Sequence, residues 1–352
     1  MPPFDEARGR LVPVDDAAAA EAAARHLQLT KPPGSLGRLE EAGVRLSAIA
    51  RRCPPPVPRP ATVAVFAGDH GVLAEGVSPW PQEVTAQMVA NFCAGGAAVN
   101  VLARQVGVDV VVVDVGVAAE LAPAPGLRRE KVRPGTANLV AGPAMTLDEA
   151  RAALDVGAAL AAELAAAGQR CLLTGDMGIA NTTASAALVA ALTGRPASEV
   201  TGRGTGIDDE TLSTKVRVVE RALERHGPVD DPLATLASLG GLEIAGLAGY
   251  VVGAAAAGLP VVLDGLIADA AALAAVALAP LARDYLFAGH RSAEPGASAA
   301  LTHLGLQPLV DLDLRLGEGT GACLALPLLE AAARVLGEMA TFESAGVSEG
   351  PG

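Results

Sequence analysis

The chain has 352 residues, of which 51% are hydrophobic and 18% charged, and its formal net charge at pH 7 is −13. This length and apolar content are enough for one large α/β domain or two unequal domains, and they argue against disorder. The acidic balance argues against nucleic-acid binding, because proteins of that class present a basic surface to the phosphate backbone. The composition is compatible with a soluble cytosolic enzyme.

The cysteines and the N-terminal residues indicate the cellular compartment. The four cysteines are far apart in sequence and form no CxxC pair, which argues against a zinc site or a disulfide framework. Residues 1–6 are acidic and lack the apolar stretch of a secretory signal. We therefore predict a cytoplasmic protein.

The hydrophobic pattern alternates along the chain between helices and short apolar strands. Residues 1 to about 55 are predicted to be largely helical, and residues 53–60, with five prolines, to be a connector. Strands are predicted at 62–67, 108–115, 170–174, 261–264 and near 284–288. Helices are predicted at about 81–107, with a break at glycines 95 and 96, and at 147–168, 180–193, 209–226, 241–257, 267–281 and 322–337.

This alternation predicts an α/β fold in which a parallel sheet is flanked by helices, because strands separated by helices pair in parallel through right-handed crossovers. Aromatic residues make up only 2% of the chain, which favours closely packed helices on a sheet over a β-sandwich. We predict a Rossmann-like large domain at residues 61–319. Residues 1–60 and roughly 320–352 are predicted to form a smaller helical part.

A membrane span is the alternative interpretation of residues 244–263, which are 20 residues without a charge. However, Pro260 interrupts this segment, several glycines lie within it, and Asp264 follows it directly. The pattern is more typical of a buried helix at about 242–257, a turn, and a core strand at 261–263. We therefore predict no membrane segment there.

Polar, glycine-rich loops follow several of the predicted strands. In open parallel sheets, ligands bind beyond the carboxyl ends of the strands, so these loops are expected to meet at one site. The loops lie at 68–71, 114–116, 175–178, 264–265 and 289–292.

Residues 175–183, with the sequence GDMGIANTT, are the strongest candidate for a phosphate site. The predicted order of strand, glycine loop and helix start brings backbone N–H groups toward an anion. The alternative is that residues 181–183 merely cap the helix. A second glycine-rich turn at 202–206 is a weaker signal, and Lys215 after it is a candidate cation for the phosphate.

Glu318 stands between Gly317 and Gly319, just before the closing helix. Glycines on both sides let a ligand approach the carboxylate closely. The alternative is a glycine-rich turn with a solvated glutamate. His70 and His290 lack the spacing of metal ligands, and no GxSxG elbow is present, so we predict neither a metal site nor a serine nucleophile.

With these motifs considered together, the sequence resembles the nicotinate-nucleotide–dimethylbenzimidazole phosphoribosyltransferase family. The matching segments occur in the family's order over nearly the whole chain. They are KPPGSLGRLE (31–40), DHGV (69–72), EGVSPWPQEVT (75–85), DVG (114–116), GDMGIANTT (175–183), GLPVVLDG (258–265), HRSAEPGA (290–297) and RLGEGTGA (315–322).

The resemblance implies an α/β large domain, a smaller helical domain and a homodimer. It implies a reaction without a cofactor, in which nicotinate mononucleotide and 5,6-dimethylbenzimidazole give α-ribazole 5′-phosphate and nicotinate. Glu318 matches the family's general base. By the same matching, substrate contacts are expected from Gly175, Asp176, Met177, Gly178, Asn181, Thr182, Thr183, Gly204, Lys215, Asp264, Ser292, Leu316, Gly317, Trp80 and Met88.

Three positions depart from the family's pattern. Asp176 is a glutamate in some relatives, so a shorter carboxylate faces the substrate. Trp80 and Met88 stand where relatives place a serine and a glutamine in the benzimidazole pocket, which leaves the preferred base open. Trp80 is expected either to stack on a flat aromatic base or to pack at the rim.

Two other functions remain as alternatives at the level of sequence. A nucleotide-dependent oxidoreductase requires a complete GxGxxG after its first strand, whereas this chain has Gly-Asp-His-Gly. A nucleotide-binding sensor or carrier requires the same binding loops without turnover.

Overall fold

The structure is a computed structural model that describes residues 1–228 and 230–348. Within those residues the chain forms one six-stranded sheet in which all neighbouring strands are parallel. The strands are β1 (Ala61–Gly68), β2 (Asp109–Gly116), β3 (Leu127–Arg129), β4 (Cys171–Met177), β5 (Val261–Leu263) and β6 (Leu286–Ala288). Their order is β3-β2-β1-β4-β5-β6. The predicted α/β fold with a parallel sheet is confirmed.

Helices separate the strands along the chain, and two short 3₁₀ helices lie at Gly71–Glu75 and Pro280–Tyr285. The α-helices are α1 (Pro3–Arg10), α2 (Asp16–Gln28), α3 (Arg38–Ala50), α4 (Glu83–Ala94), α5 (Ala98–Val106), α6 (Leu147–Ala166), α7 (Asn181–Thr193), α8 (Ala197–Val200), α9 (Asp209–His226), α10 (Pro232–Leu239), α11 (Leu242–Ala256), α12 (Leu266–Leu278), α13 (Pro295–Leu304), α14 (Thr320–Glu338) and α15 (Phe342–Ala345).

The five predicted strands are present, but some predicted loops contain regular structure. The strand β3 has only three residues, too few for a hydrophobic period to be visible in the sequence. The hydrophobic pattern does not predict the helices α8, α10 and α13 either. Both α10 and α13 begin with a proline, which is typical of loops but is well tolerated at the first position of a helix.

Helices α6 and α11 pack closely because glycines face each other's backbones. A Cβ atom at Gly157 would lie 1.8 Å from the carbonyl oxygen of Gly246. A Cβ atom at Gly249 would lie 1.9 Å from the carbonyl oxygen of Leu154. Small residues therefore bring these two helices together, as the low aromatic content suggests.

The apolar segment at 244–263 is part of this core. It forms most of α11 and all of β5, both of which are buried, so the interpretation as a core helix and strand is confirmed. Two other segments, Glu83–Val106 and Thr320–Glu338, are long and apolar enough to cross a bilayer by length and composition alone. The first consists of α4 and α5, separated at Gly95, where φ is +79°. More than half of the second is buried inside the fold.

The closing helix α14 connects the two predicted parts of the chain. Helices α2 and α3 pack against it, as expected for a small helical part, but α14 also contacts β4 and β5. The division into residues 61–319 and two flanking segments therefore stays a prediction.

Candidate active site

A cavity of about 370 Å³ lies at the carboxyl end of the sheet. Its wall contains Gly178, Gly265 and Ser292, which lie within four residues of the ends of β4, β5 and β6, as expected for an open parallel sheet. The predicted site residues that line it are Trp80, Met88, Asp176, Met177, Gly178, Asn181, Thr182, Gly204, Lys215, Ser292, Leu316, Gly317 and Glu318.

Three predicted site residues do not line the cavity. Gly175 packs behind it, where an added Cβ atom would lie 2.4 Å from the carbonyl oxygen of Glu318. Thr183 is fully buried in the first turn of α7. Asp264 is also fully buried, and its carboxylate accepts hydrogen bonds from three backbone N–H groups of residues 319, 321 and 322.

Glu318 is buried in the cavity wall, with only 5% of its surface exposed. This burial excludes the alternative of a solvated turn. Residues 317, 318 and 319 all have left-handed backbones, with φ of +79°, +66° and +100°. A non-glycine residue in that conformation costs about 1 kcal/mol, so the surrounding contacts must hold Glu318 there. Its Oε2 accepts one long hydrogen bond, 3.4 Å from the backbone nitrogen of Val99.

Asp176 is the second carboxyl group of the cavity. Its Oδ2 accepts a hydrogen bond of 3.0 Å from the side-chain amide of Asn181, whereas its buried Oδ1 has no hydrogen-bond partner. A Cβ atom at Gly317 would lie 3.1 Å from Oδ2. We call Glu318, Asp176, Asn181 and Gly317 the carboxylate cluster.

Burial raises the pKa of both carboxyl groups in this cluster. For Glu318 the loss of hydration is the main cause, the charge of Asp264 adds to it, and the N–H of Val99 opposes it. The pKa of Asp176 lies well above its ordinary value, again mainly through burial and then through the charges of Asp264 and Glu243. Burial therefore favours the protonated form of both carboxyl groups, and it does so more strongly for Asp176 than for Glu318.

Lys215 is the buried cation of the cavity, with 1% of its surface exposed. Its Nζ donates hydrogen bonds to Oγ1 of Thr182 at 2.8 Å and to the carbonyl oxygen of Gly202 at 3.0 Å. Burial lowers the pKa of Lys215 to about 8, and the charge of Glu294 opposes that shift. We call Lys215, Thr182, Gly202 and Gly204 the lysine cluster.

The first residues of α7 also line the cavity. Ala180, directly before the helix, has a left-handed φ of +74°, and no side chain caps the helix N-terminus. The alternative that residues 181–183 merely cap the helix is therefore not observed, because Asn181 and Thr182 bond to Asp176 and Lys215 instead. The positive end of the helix dipole faces the cavity beside Lys215, an arrangement that suits an anion.

Two charged residues of this wall, Glu294 and Arg315, were not singled out from the sequence. The buried Glu294 accepts the N–H of Gly204 at 2.8 Å through Oε1. Arg315 donates from Nη1 to the carbonyl oxygen of Gly204 at 2.6 Å. Glu294 lies in the matching segment 290–297 and Arg315 in the matching segment 315–322. Their place in these segments is the feature of the sequence that points to a role in the site. Together they fix the peptide groups on both sides of the Gly204 Cα.

Much of the remaining wall is apolar. Trp80 and Leu316 are exposed by 49% and 57%, although both line the cavity, and Met88 is half-buried. The further apolar lining residues are Val77, Val84, Ile179, Ala180, Ile207, Leu266 and Ile267. A flat aromatic molecule fits such a wall better than a charged one does.

The two histidines considered as metal ligands are buried beside carboxylates. Nε2 of His70 lies 2.6 Å from Oε1 of Glu243, and Nε2 of His290 lies 3.7 Å from Oδ1 of Asp264. Among residues 1–228 and 230–348, no group of three or more histidines, cysteines and acidic residues is arranged to hold a metal ion.

Comparisons with known proteins agree over nearly the whole chain. A family model described as a phosphoribosyltransferase matches residues 11–347. A Salinispora tropica protein named nicotinate-nucleotide–dimethylbenzimidazole phosphoribosyltransferase is 58% identical, over 96% of this chain and 97% of that protein. A protein of the same name from Chloroflexus aurantiacus is 57% identical, over 96% of each chain.

A solved structure gives the same result for the fold. The crystal structure of CobT from Thermus thermophilus superposes with a TM-score of 0.92 at 55% sequence identity. The match covers 95% of this chain and 100% of that chain. This chain therefore belongs to the phosphoribosyltransferase family whose members are named nicotinate-nucleotide–dimethylbenzimidazole phosphoribosyltransferase.

Proposed function

We propose that this protein transfers the phosphoribosyl group of nicotinate mononucleotide to 5,6-dimethylbenzimidazole or a related base. The products are nicotinate and α-ribazole 5′-phosphate, the nucleotide of the lower ligand of cobalamin. Family membership supports the reaction. The observation that carries the proposal is the buried Glu318 carboxylate, which shares one cavity with a buried lysine and a helix N-terminus.

Glu318 is the proposed general base. The benzimidazole nitrogen forms a bond to C1′ of the ribose while the bond from C1′ to the pyridinium nitrogen breaks. Nicotinate leaves with a neutral ring nitrogen, so its departure requires no acid. The proton of the attacking benzimidazole passes to the Glu318 carboxylate, and such a transfer typically contributes about 10²- to 10⁴-fold to the rate. Attack on the opposite face inverts the β-riboside to the α-product.

The lysine cluster is the proposed site of the substrate phosphate. Lys215 supplies a positive charge, Thr182 and Gly204 lie beside it, and Ser292 lines the same cavity. A phosphate held there has its charge balanced by the ammonium group and by the helix N-terminus. Anchoring the phosphate fixes the position of C1′ relative to Glu318, and this accounts for a large share of catalysis in a reaction without a covalent intermediate.

The apolar wall with Trp80 and Met88 is the proposed site of the aromatic base. A competition assay among dimethylbenzimidazole, benzimidazole, adenine and phenolic bases measures which base the site prefers. A strong preference for another base would make Trp80 and Met88 specificity-determining. Equal use of the standard base would make these two departures neutral.

Incubation of the protein with both substrates tests the function directly. Nicotinate release is followed by chromatography, and reactions that lack one substrate serve as controls. We expect release only when both substrates are present, with the α configuration of the product determined by NMR. Calorimetric binding of nicotinate mononucleotide without nicotinate release would instead favour the sensor or carrier.

We also propose a homodimer, as the resemblance implies. Its support is the apolar segment Glu83–Val106, of which only a third is buried within one chain. Sedimentation velocity measures the mass in solution, and a species near 35.0 kDa alone would contradict the dimer. The cytoplasmic location stays a prediction that cell fractionation tests.

A further inference from the structure

Asp264 lies directly after β5, behind the cavity wall, and none of its surface is exposed. Its Oδ2 accepts the N–H of Gly319 at 3.0 Å, and its Oδ1 accepts those of Gly321 at 2.7 Å and Ala322 at 3.1 Å. All three donors belong to the start of α14 and the residue before it. Burial raises the pKa of Asp264, and the charge of His290 and the three N–H donors oppose that rise. The lone pairs of the carboxylate are enough for all three bonds.

The bond to Gly319 acts on the peptide group that immediately follows the Glu318 side chain. The N–H of this peptide is held by Asp264. Its carbonyl, which belongs to Glu318, packs against the Cα of Gly175, where no side-chain atom fits. The peptide plane is therefore fixed at both ends. The backbone of Glu318 has an unfavourable left-handed φ of +66°. These contacts hold the backbone in that conformation, and the conformation sets the direction of the side chain.

We propose that Asp264 is the positioning residue of the proposed base: it holds the backbone of residues 318–322 and so directs the Glu318 carboxylate into the cavity without touching the substrate. This inference rests on the proposed function of Glu318. Asp264 does not line the cavity, whereas the resemblance implies a substrate contact at this position.

The charge of Asp264 also acts on Glu318. It is one of the causes that raise the pKa of Glu318, after burial. Other charged groups face these two carboxylates and remain in place when Asp264 is changed. Those of the cavity are Asp176, Lys215, Arg203, Arg315 and Glu294, and those beside Asp264 are His290 and Asp269.

The substitution Asp264→Asn tests the proposal. The single amide oxygen of asparagine satisfies more donors in the place of Oδ1, which accepts from Gly321 and Ala322. The NH₂ group then faces the N–H of Gly319, so the anchor of the 318–319 peptide is lost. We expect kcat to fall about 100-fold, as for a misplaced catalytic group, while KM for nicotinate mononucleotide changes by less than about threefold. The acidic limb of the kcat profile moves to lower pH, because removal of the negative charge lowers the pKa of Glu318.

Asp269→Asn is the matched control. Asp269 is equally buried, lies on the neighbouring α12, and its side-chain oxygens make no hydrogen bond in the described structure. We expect this variant to keep kcat and the pH profile of the unmodified protein.

Thr174→Val is a milder variant that also acts on Asp264, because Oγ1 of Thr174 accepts the N–H of Asp264 at 2.9 Å. Thr174→Val removes this bond and also the longer one that Oγ1 donates to the carbonyl oxygen of Val262 at 3.3 Å. It replaces Asp264→Asn if that variant does not fold, and kcat is expected to fall about fivefold.

A titration by NMR separates this inference from the proposed function. With ¹³C-labelled glutamate, the signal absent from Glu318→Gln identifies Glu318, and its pKa is compared between the unmodified protein and Asp264→Asn or Thr174→Val. An unchanged Glu318 pKa in Asp264→Asn together with unchanged kcat would overturn the proposal. Equal losses of kcat, nucleotide affinity and thermal stability would overturn it in favour of a purely structural role. If the unmodified protein releases no nicotinate, the proposed function fails, yet the titration still decides whether Asp264 controls Glu318.

Discussion

The lysine cluster and the carboxylate cluster share one cavity but differ in how their charged groups are held. Lys215 donates two short hydrogen bonds, at 2.8 and 3.0 Å, whereas Glu318 accepts one bond of 3.4 Å. Burial shifts both pKa values toward neutrality, downward for the lysine and upward for the glutamate. The comparison indicates that the group proposed to keep its charge is firmly bonded, while the group proposed to exchange a proton is left nearly free.

The largest expected effect is that of Glu318→Gln. Loss of the base lowers kcat by about 10³-fold, within the usual range for general base catalysis, while binding of nicotinate mononucleotide stays nearly intact. Steady-state kinetics and calorimetry measure the two quantities. Glu338→Gln, at an exposed ion pair with Arg334, is the control and is expected to behave as the unmodified protein. Near-normal turnover by Glu318→Gln would remove Glu318 from the role of base.

Gly175→Ala tests the packing behind Glu318, on the side of the cavity wall that faces away from the cavity. The new Cβ atom would overlap the Glu318 carbonyl oxygen, 2.4 Å away, so the base moves while its chemistry is kept. We expect kcat to fall about 10²-fold, with a lowered melting temperature, because small displacements of catalytic groups are costly. Gly142→Ala is the matched control, since a Cβ atom there meets nothing within 4 Å. Equal activity of the two variants would contradict the close packing behind Glu318.

Lys215→Met tests the other cluster. Loss of a charge-assisted bond to the phosphate is expected to raise KM for nicotinate mononucleotide about 50-fold, with a smaller change in kcat. Lys131→Met is the control, because Lys131 pairs with Asp114 and does not line the cavity. If kcat fell while KM stayed constant, the separation between an anchoring and a reacting cluster would be wrong.

The pH dependence of kcat/KM is expected to depend on the protonation of Glu318 in the carboxylate cluster and of Lys215 in the lysine cluster. Activity falls as the pH drops through the raised pKa of Glu318, since the protonated acid cannot accept the proton. It also falls above about pH 8, where Lys215 loses its charge. Each limb approaches a tenfold change per pH unit. Lys215→Arg is expected to remove the basic limb, because a guanidinium group stays protonated. A basic limb that persists in this variant would assign it to another group.

The smallest expected effect is that of Trp80→Ala. Loss of the aromatic wall is expected to raise KM for dimethylbenzimidazole about fivefold, in the range of aromatic contacts, with no change for nicotinate mononucleotide. Trp80→Phe retains a ring and is expected to recover most of the affinity. Leu147→Ala, another exposed apolar residue outside the cavity, is the control. An unchanged KM in Trp80→Ala would favour simple rim packing.

Elements with a long apolar period were predictable from the sequence, and short ones were not. The buried strands β1 and β2 and the helices α6, α9 and α11 follow their hydrophobic patterns closely. The three residues of β3 form a strand only because β2 supplies hydrogen-bond partners along its edge. The residues of β3 and their neighbours in sequence do not show that β2 will lie beside them.

Asp176 and Asp264 show most clearly that the sequence is not sufficient to predict which side chains face the cavity. Each aspartate lies at the end of a core strand next to a glycine, and the strand-end rule places both beside a ligand. In the fold only Asp176 lines the cavity, whereas Asp264 is enclosed by the backbone N–H groups of a segment more than fifty residues away. That difference depends on how α14 docks against β4 and β5.

The sequence by itself therefore determined the α/β class, the family and the glycine-framed Glu318, because periodicity, motif order and residue type are local properties. Only the tertiary structure decided which polar groups face the cavity and which hold its wall from behind. It also brought Glu294 and Arg315 to the peptides around Gly204. The physical reason is that burial and hydrogen bonding depend on neighbours in space, and these neighbours come from distant parts of the chain.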